Sequence, residues 1–487
     1  MLKRPGIPAP NVARIAVFGA VMLAAVASGS QRNPKALLTS EEPKYLLFWR
    51  SPEQVGDLVR RIGTCGDGQS RMLGFGLPCS TFPLERSVPE LVKAAFRAAR
   101  DNDVAVMLHF DLHIDWQCRP ELWNWFDPKK PGYSPDNRRN VEWFGWEGPP
   151  AQVRYLNWGK AERMAPPMCF TSKAIRAEWR RLIRKVVVPA ILPEVARLKK
   201  EGKERLFAGV LVGSEPTFDN YARTDPESAK LAAEDGTPLG QTGYRALLDR
   251  GFSAKRPPKD LINALTDIIQ ETVAYWCRQF AEAGIPSSKL YPHIPAGADD
   301  AVTCSPPRTA FNRWSRPGWS TYAVGPLEDG FSVLYDELRK HGNPPWGGVE
   351  ANCGFPGTLV DWETYLAWHY NHGAVLVGIN TGATGVELPD MLEKSAFSAD
   401  ALAAYRKWLG GGRLAEKPIS DDHPSKRLKA KMERLQQGFA KWLAEGRDPS
   451  PVARDVEREL SALLQAGKIA EAEAVIERAL ARIADGK

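Results

Sequence analysis

The sequence lacks several short motifs that would identify a common class of site. None of its seven Cys residues forms a Cys-x-x-Cys pair, which argues against a zinc ribbon. The Cys count is odd, so at least one thiol is unpaired within the monomer, and a chain of 487 residues can build a core without disulfides. No Gly-x-Gly-x-x-Gly follows the first strand-like run, which disfavours a dinucleotide-binding sheet.

Basic clusters interleaved with aromatic residues are also absent, so we predict no nucleic-acid surface. Near the N-terminus, the apolar run IAVFGAVMLAAVA is shorter than the roughly 20 residues of a membrane span. Lys3, Arg4 and Arg14 precede or open this run, and Ala25-Val26-Ala27 offers a cleavage site. We therefore predict a signal peptide over 1–27, a secreted or periplasmic protein and no further membrane association. Its removal lowers the formal charge from +7 to about +4.

Short apolar runs alternate with amphipathic segments through most of the chain. Eight such runs are strand-like, and this alternation is typical of parallel strands joined by helices. We predict an α/β fold, a (β/α)8 or TIM barrel over 40–408, with an open doubly wound sheet as the main competitor. The predicted strands are 45–50, 71–78, 104–115, 205–215, 289–295, 319–326, 345–354 and 374–382.

A stretch rich in Gly, Pro and charge, 409–427, is predicted to be a linker. Beyond it, 428–487 has amphipathic helical periodicity, which predicts a small C-terminal all-α extension. We expect these helices to pack against the barrel, and a partner-binding arm is the alternative.

Two glutamates follow apolar strand runs, in GSEP and in GGVEANCG. Alternation along strand four places Glu215 opposite a continuous apolar face, and alternation along strand seven does the same for Glu350. In a parallel barrel both positions lie at the carboxyl-terminal end, where the loops build the site. A pair of carboxylates there suits cleavage of a glycosidic bond, which requires one protonated and one ionised group. Either glutamate could instead be a salt-bridged residue at a strand end.

This pattern resembles the large clan of (β/α)8 retaining glycoside hydrolases, which have catalytic glutamates at the ends of strands four and seven. The resemblance implies that Glu215 is the acid/base and Glu350 the nucleophile, and that the substrate is an oligosaccharide or polysaccharide. It covers residues 45–408 as architecture, although the matching motifs are only a few residues long. The clan has Asn directly before the acid/base, whereas this chain has Ser214, whose shorter side chain could not make the same sugar contact.

Strand three contributes HFDLHID, in which alternation places His109, Asp111, His113 and Asp115 on one face. We predict that His109 and Asp111 bind sugar hydroxyls. A structural hydrogen-bond network is one alternative, and a metal-dependent hydrolase that recruits His293 is another. A non-catalytic carbohydrate-binding barrel is a further alternative to catalysis.

Further polar residues end other predicted strands. We predict that Tyr322 hydrogen-bonds Glu350 and that Ser214 and His293 also line the site. We expect no cofactor and no metal, and the oligomeric state stays open. The long loop over 116–170 is rich in Trp, which suits packing against sugar rings, or alternatively a small core within the loop. The remaining predicted substrate-binding residues are Arg50, Asn352 and Trp116, with Asn380 in a similar strand-end position.

Overall fold

The computed structural model describes residues 42–157, 160–297, 303–322, 331–353, 360–382, 389–417, 424–465 and 468–485. Some sequence predictions therefore lie outside the described residues. These are the signal peptide over 1–27, Trp158 in the long loop, the last residues of the predicted sixth strand and residues 418–423 of the linker.

The described chain is an α/β TIM barrel with a C-terminal all-α extension. Eight parallel strands form the barrel, each built from a short and largely buried run. They are β1 (Lys44–Trp49), β2 (Arg71–Ser80), β3 (Ala105–Asp111), β4 (Phe207–Val212), β5 (Leu290–Pro292 and Ile294–Pro295), β6 (Gly318–Ser320), β7 (Trp346–Ala351) and β8 (Ala374–Ile379).

The barrel closes at β5, which His293 divides into two short segments. The first segment pairs with β4 and the second pairs with β6, so the ends of the sheet are two halves of one strand. The backbone N–H of His293 still donates to Val212 O at 3.2 Å. Every strand pair in the barrel is parallel, and the eight carboxyl ends therefore open on one side, which we term the mouth.

Helices connect the strands around the outside of the barrel. They are α1 (Val55–Ile62), α2 (Val88–Asn102), α3 (Pro120–Trp123), α4 (Lys173–Leu182), α5 (Val188–Lys200), α6 (Pro226–Glu234), α7 (Tyr244–Asp249), α8 (Leu261–Glu282), α9 (Ser332–Lys340), α10 (Trp362–Tyr370), α11 (Pro389–Ala396) and α12 (Ala399–Leu409). The loop after β3 also carries a hairpin of two antiparallel strands, Arg154–Asn157 and Ala161–Met164.

The helical run from Lys173 to Lys200 is continuous but changes pitch. A π-helical turn, Ile183–Val187, joins α4 to α5. Pro189, two residues after this turn, has no N–H to donate to the carbonyl four residues earlier, so the regular bonding pattern cannot pass through this position.

Two strands end earlier than the sequence predicted. β3 stops at Asp111 because the Asp111 carboxylate accepts hydrogen bonds from the N–H groups of His113 and Ile114, at 2.9 and 3.2 Å, and this turns the chain. β4 stops at Val212, and Gly213 then has a φ of 79°. A Cβ at Gly213 would lie 2.6 Å from the Trp276 ring, so glycine is required there for steric reasons as well.

The C-terminal extension consists of α13 (Pro424–Ala444), α14 (Ser450–Gln465) and α15 (Ile469–Ala484). Its buried apolar side chains form a cluster of their own, separate from the barrel core. We expected these helices to pack on the barrel, but their apolar faces cover one another. Leu435, Trp442 and Ile476 are among the buried members of this cluster.

Among the described residues, no helix combines the length and the apolar character that crossing a membrane requires. Of the seven Cys side chains, only Cys118 is exposed, Cys65 is partly buried and the others are buried. Large aromatic side chains fill the barrel core, and Trp179, Trp276, Trp319 and Trp346 are fully buried there.

Candidate active site at the mouth of the barrel

Glu215 reaches the mouth through a turn rather than by strand alternation. The pairing of β3 with β4 shifts register next to Val106, so the alternation assumed along β4 is interrupted. Glu215 itself has a φ of 48°, a left-handed conformation that costs about 1 kcal/mol or more for a residue with a side chain. Its backbone N–H donates to His293 O at 3.0 Å, which holds the turn against β5.

Glu350 lies near the end of β7, at an irregularity in the sheet. The pairing of β7 with β6 and with β8 shifts register after Gly348, which is the geometry of a β-bulge. Bulges commonly redirect a side chain beside a functional site. The Glu350 side chain is about one fifth exposed, so its carboxylate is accessible from the mouth.

The two carboxylates share one neighbour, the imidazole of His293. Its Nε2 lies 3.7 Å from Glu215 Oε1 and 3.5 Å from Glu350 Oε2. These two oxygens can therefore be no more than about 7 Å apart, the sum of the two distances. The structure thus brings together the two glutamates that the sequence selected, and it adds a buried histidine at the same point.

Glu350 is held by two side-chain donors that meet at one of its oxygens. The Tyr322 Oη donates to Glu350 Oε1, and Asn380 Nδ2 donates to the same oxygen at 3.0 Å. The Asn380 amide is oriented by the Gly382 N–H, which donates to Asn380 Oδ1 at 2.8 Å. Burial and the neighbouring Glu350 charge raise the pKa of Tyr322 well above its usual range, so this hydroxyl stays protonated and donates.

Glu215 has different surroundings. Desolvation beneath the mouth, together with the Glu350 carboxylate, raises the pKa of Glu215 to about 7. A hydrogen bond donated by Ser320 Oγ to Glu215 Oε1 acts in the opposite direction, because it stabilises the ionised form. Glu215 can therefore carry a proton near neutral pH, while Glu350 accepts two hydrogen bonds on Oε1.

Two histidines pack beneath this pair, with ring centroids 5.4 Å apart. Burial lowers the pKa of His109 to about 4, and burial also lowers the pKa of His293 despite the nearby carboxylates. His109 Nε2 lies 2.7 Å from Gly213 O, which can only accept, so this nitrogen carries the hydrogen. His109 therefore supports the turn that carries Glu215, in agreement with the structural alternative for strand three.

The other residues of the strand-three cluster contact different partners. Although burial opposes ionisation, contacts with His113 and two backbone N–H groups lower the pKa of Asp111. The His113 ring stacks on Trp276 at 5.6 Å, and Asp115 accepts from Ser80. We predicted that His109, Asp111, His113 and Asp115 share one face, which is wrong because β3 turns at Asp111. Within the described ranges, no three His, Cys, Asp or Glu side chains are placed to hold one metal ion.

Two predicted substrate contacts, Asn352 and Arg50, have other partners in the structure. Asn352 is fully buried and donates to the backbone carbonyls of Asn380 and Leu392, at 2.7 and 3.2 Å. Arg50 pairs with Glu393 at 3.1 Å at the rim of β1. The β7 bulge explains the position of Asn352, because it breaks the alternation that placed Asn352 beside Glu350.

The indole rings of the long loop hold that loop together. Trp116 is 1% exposed, and its Nε1 donates to Pro166 O at 3.0 Å, so it does not offer a surface to a sugar. The Nε1 atoms of Trp123, Trp125 and Trp143 also donate to backbone carbonyls within the loop. These described Trp residues thus match the alternative of a small core within the loop.

Ser320 is the site residue that the sequence analysis missed. It ends β6, and its Oγ contacts both Glu215 Oε1 and His293 Nε2, the latter at 3.1 Å. A signal was available, because Ser320 and Tyr322 are two positions apart and should share a face. Thr321 between them faces outward and lies 2.8 Å from His369 Nε2. Ser214, which precedes Glu215, is nearly buried.

A cavity of about 270 Å³ lies at the opposite end of the barrel. It is lined by residues at the starts of β1 and β2 and at the ends of α10 and α12, including Lys44, Arg71, Tyr370 and Trp408. Neither Glu215 nor Glu350 borders it, so this cavity is separate from the carboxylate pair.

Comparison with known proteins gives no sequence relative. No protein-family model matches the chain, and no curated protein is similar to it in sequence. Solved structures resemble it only distantly, and two of the three described next are glycoside hydrolases. The catalytic domain of a β-amylase from Paenibacillus polymyxa is 8% identical, with 69% of this chain and 92% of that chain covered and a TM-score of 0.39.

A GH113 β-1,4-mannanase is 10% identical, with 76% of this chain and 99% of that chain covered and a TM-score of 0.33. A D-psicose 3-epimerase from Clostridium cellulolyticum H10 is also 10% identical, with 75% and 99% covered and a TM-score of 0.33. Similarity at this level does not distinguish a hydrolase from an epimerase, so the question of function rests on the carboxylate pair.

Proposed function

We propose that this protein is a retaining glycoside hydrolase in which Glu350 is the nucleophile and Glu215 is the acid/base. The observation that carries the proposal is the pair of carboxylates at the ends of β4 and β7, both within 4 Å of His293 Nε2. Glycosidic bond cleavage uses one protonated and one ionised carboxyl group on either side of the bond. The raised pKa of Glu215 suits the protonated role, and the two hydrogen bonds that Glu350 accepts suit the ionised role.

In the first step, Glu350 Oε2 forms a bond to the anomeric carbon while the bond to the leaving oxygen breaks. Tyr322 and Asn380 both donate to Oε1, which leaves Oε2 free for this attack. Glu215, with a pKa of about 7, gives its proton to the leaving oxygen. In the second step, ionised Glu215 takes a proton from water, whose oxygen displaces Glu350 from the anomeric carbon.

The separation of the carboxylates favours retention over inversion. Retaining enzymes place the two groups about 5–5.5 Å apart, whereas inverting enzymes leave about 6.5–9.5 Å for a water molecule. The limit of about 7 Å between Glu215 Oε1 and Glu350 Oε2 admits the first range and only the lower end of the second.

We propose an oligosaccharide or polysaccharide as the substrate, and export through the signal peptide expected over 1–27. Detection of the mature N-terminus after expression in a bacterial host would test export. The sugar and the linkage have to come from a substrate screen.

The test of the proposed function is a panel of aryl glycosides that release a chromophore, assayed with Glu215→Gln and Glu350→Gln. Each variant should lose about 10²–10⁴-fold in kcat, which is the range for a missing acid/base or nucleophile. Glu142→Gln is the matched control, because it removes a buried carboxyl of the long loop and should retain the rate.

The stereochemistry of the first product gives a second readout. NMR of the initial hemiacetal should show the anomer of the substrate, and the opposite anomer would mean inversion, with Glu350 acting as a base. Full hydrolysis by both glutamine variants would refute the proposal. Tight sugar binding by the wild-type protein with no turnover of any glycoside would favour the non-catalytic carbohydrate-binding barrel.

A further inference from the structure

A chain of side chains links β5 and β6 to the proposed acid/base. His293 Nε2 lies 3.1 Å from Ser320 Oγ, and Ser320 Oγ in turn donates to Glu215 Oε1. His293 and Ser320 are 3% and 4% exposed, so water does not compete freely for these contacts. The three groups come from three neighbouring positions around the barrel.

The direction of the hydrogen bonds follows from the surroundings of the imidazole. Nε2 is surrounded by three oxygens, those of Ser320, Glu215 and Glu350. Nδ1 is buried and has no hydrogen-bond partner among the described residues. An unpaired buried N–H costs more than an unpaired nitrogen lone pair, so the hydrogen lies on Nε2. Nε2–H therefore donates to Ser320 Oγ, which leaves the Ser320 hydrogen for Glu215.

The backbone of His293 fixes the same geometry. Its N–H donates to Val212 O, and its carbonyl accepts from the Glu215 N–H at 3.0 Å. The ring packs edge-on against His109, which itself binds Gly213 O. His293 thus holds both the turn that carries Glu215 and, through Ser320, the carboxylate at the end of that turn.

We propose that His293 and Ser320 are positioning residues that orient Glu215 Oε1 and stabilise its ionised form, with His293 acting through the Ser320 hydroxyl. The inference rests on the proposed function in so far as it treats Glu215 as the acid/base. Without these two residues, the carboxyl would hold its proton to higher pH, and the return step, in which ionised Glu215 activates water, would slow.

Other titratable groups also face Glu215, and the test has to separate their effects from those of the chain. They come from β3 and the turn after it, from β7 and from the second residue after β6: His109, His113, Glu350 and Tyr322. All four are unchanged in variants of Ser320 and His293, so a change in the titration of Glu215 reports the chain itself.

The experiment measures the Glu215 titration directly, without a substrate. Infrared difference spectra of the carboxyl band, wild type minus Glu215→Gln, isolate this group between pH 5 and 9. Ser320→Ala should raise its midpoint by about one pH unit, because it removes a hydrogen bond to a charged group. His293→Phe keeps a ring against His109 but no donor, and should raise the midpoint by a smaller amount. His293→Gln can place an N–H near the Nε2 position, so its midpoint should be closer to that of the wild type than the midpoint of His293→Phe is.

The double variant decides whether the two residues act in series. If His293 acts through Ser320, Ser320→Ala with His293→Phe should give the midpoint of Ser320→Ala alone. Additive shifts would overturn the series arrangement, and an unchanged midpoint in Ser320→Ala would overturn the whole proposal. If His293→Phe does not fold, Ser320→Ala, which removes a single oxygen, still tests whether the Ser320 hydroxyl lowers the midpoint of Glu215.

Ser172→Ala is the matched structural control. Ser172 is buried, and its Oγ donates to Asn140 Oδ1 at 2.6 Å in the long loop, away from Glu215. Ser172→Ala should lower thermal stability without moving the Glu215 midpoint. If Ser320 has a purely structural role, Ser320→Ala should also lower stability and leave that midpoint unchanged. In parallel, the alkaline limb of kcat/KM should move with the infrared midpoint. A shifted midpoint in a protein that hydrolyses no glycoside would retain the positioning chain and refute the proposed function.

Discussion

Replacing Glu215 with Gln should stabilise the folded protein at neutral and alkaline pH. The folded-state pKa of Glu215 is about 7, against 4.5 for an ordinary glutamate, so between these values the folded chain holds a proton that the unfolded chain has released. Stability of the wild type therefore falls as pH rises through this window and stays reduced above it. Glutamine has no proton to lose, so the variant escapes this loss.

The size of the effect follows from the same two values. A carboxyl pKa raised from 4.5 to about 7 corresponds to roughly 3 kcal/mol between its protonated and ionised forms. One third of the Glu215 side chain is exposed, and solvent screening reduces this figure to about 1–2 kcal/mol. The advantage of the variant should be near zero at pH 4 and reach that range at pH 8.

Thermal unfolding between pH 4 and 9 measures this difference, and the gap in Tm at pH 8 should be a few degrees at most in a barrel of this size. Glu147→Gln, an exposed position in the long loop, is the control for removal of one negative charge. A gap in Tm that is the same at every pH would refute the reasoning, as would a Glu215→Gln protein that is less stable than wild type at pH 8.

Three further substitutions test other parts of the structure. Tyr322→Phe removes a donor to Glu350 and should lower kcat about 10–100-fold on any cleaved glycoside; an unchanged kcat would contradict that contact. The Tm of Glu142→Gln should exceed that of the wild type by an amount that grows as pH rises from 5 towards 8, because burial raises the pKa of Glu142 to about 8. A Tm difference that is the same at every pH would contradict this. Gly213→Ala should destabilise the fold by about 2 kcal/mol or more, owing to the positive φ and the Trp276 ring, and a Tm equal to wild type would show that the turn relaxes.

The barrel could be predicted from the sequence because its strands are short apolar runs separated by amphipathic helices. The runs at 45–50 and 374–382 coincide closely with β1 and β8. Strand ends were less predictable, since they depend on side chains that compete with the neighbouring strand for backbone hydrogen bonds. Asp111 captures two backbone N–H groups and ends β3 four residues before the predicted boundary at 115, an effect that hydrophobic periodicity does not register.

The proximity of Glu215 and Glu350 could be inferred because the ends of parallel strands meet at one mouth. The neighbours of these glutamates were harder to infer, because alternation fails at a bulge and buried indoles do not reveal their direction. Asn352 lies beyond the β7 bulge, and Trp116 packs the long loop. Ser320 went unnoticed because a hydroxyl at the end of a strand is common, although its position two residues before Tyr322 placed it on the same face; its contact with Glu215 is visible only in the structure.

His293 divides β5, where the barrel closes, and its carbonyl also binds the turn that carries Glu215, so closure of the barrel and geometry of the site depend on the same strand. Each half of this strand is only two or three residues long, and Pro292 and Pro295 have no N–H to contribute to the ladder. The seam is thus held by few hydrogen bonds, and one of them is the bond between His293 O and the Glu215 N–H. Local opening at this seam would free the turn that carries Glu215, the proposed acid/base, while the other strands of the barrel stay paired, so the site would be lost before the barrel unfolds.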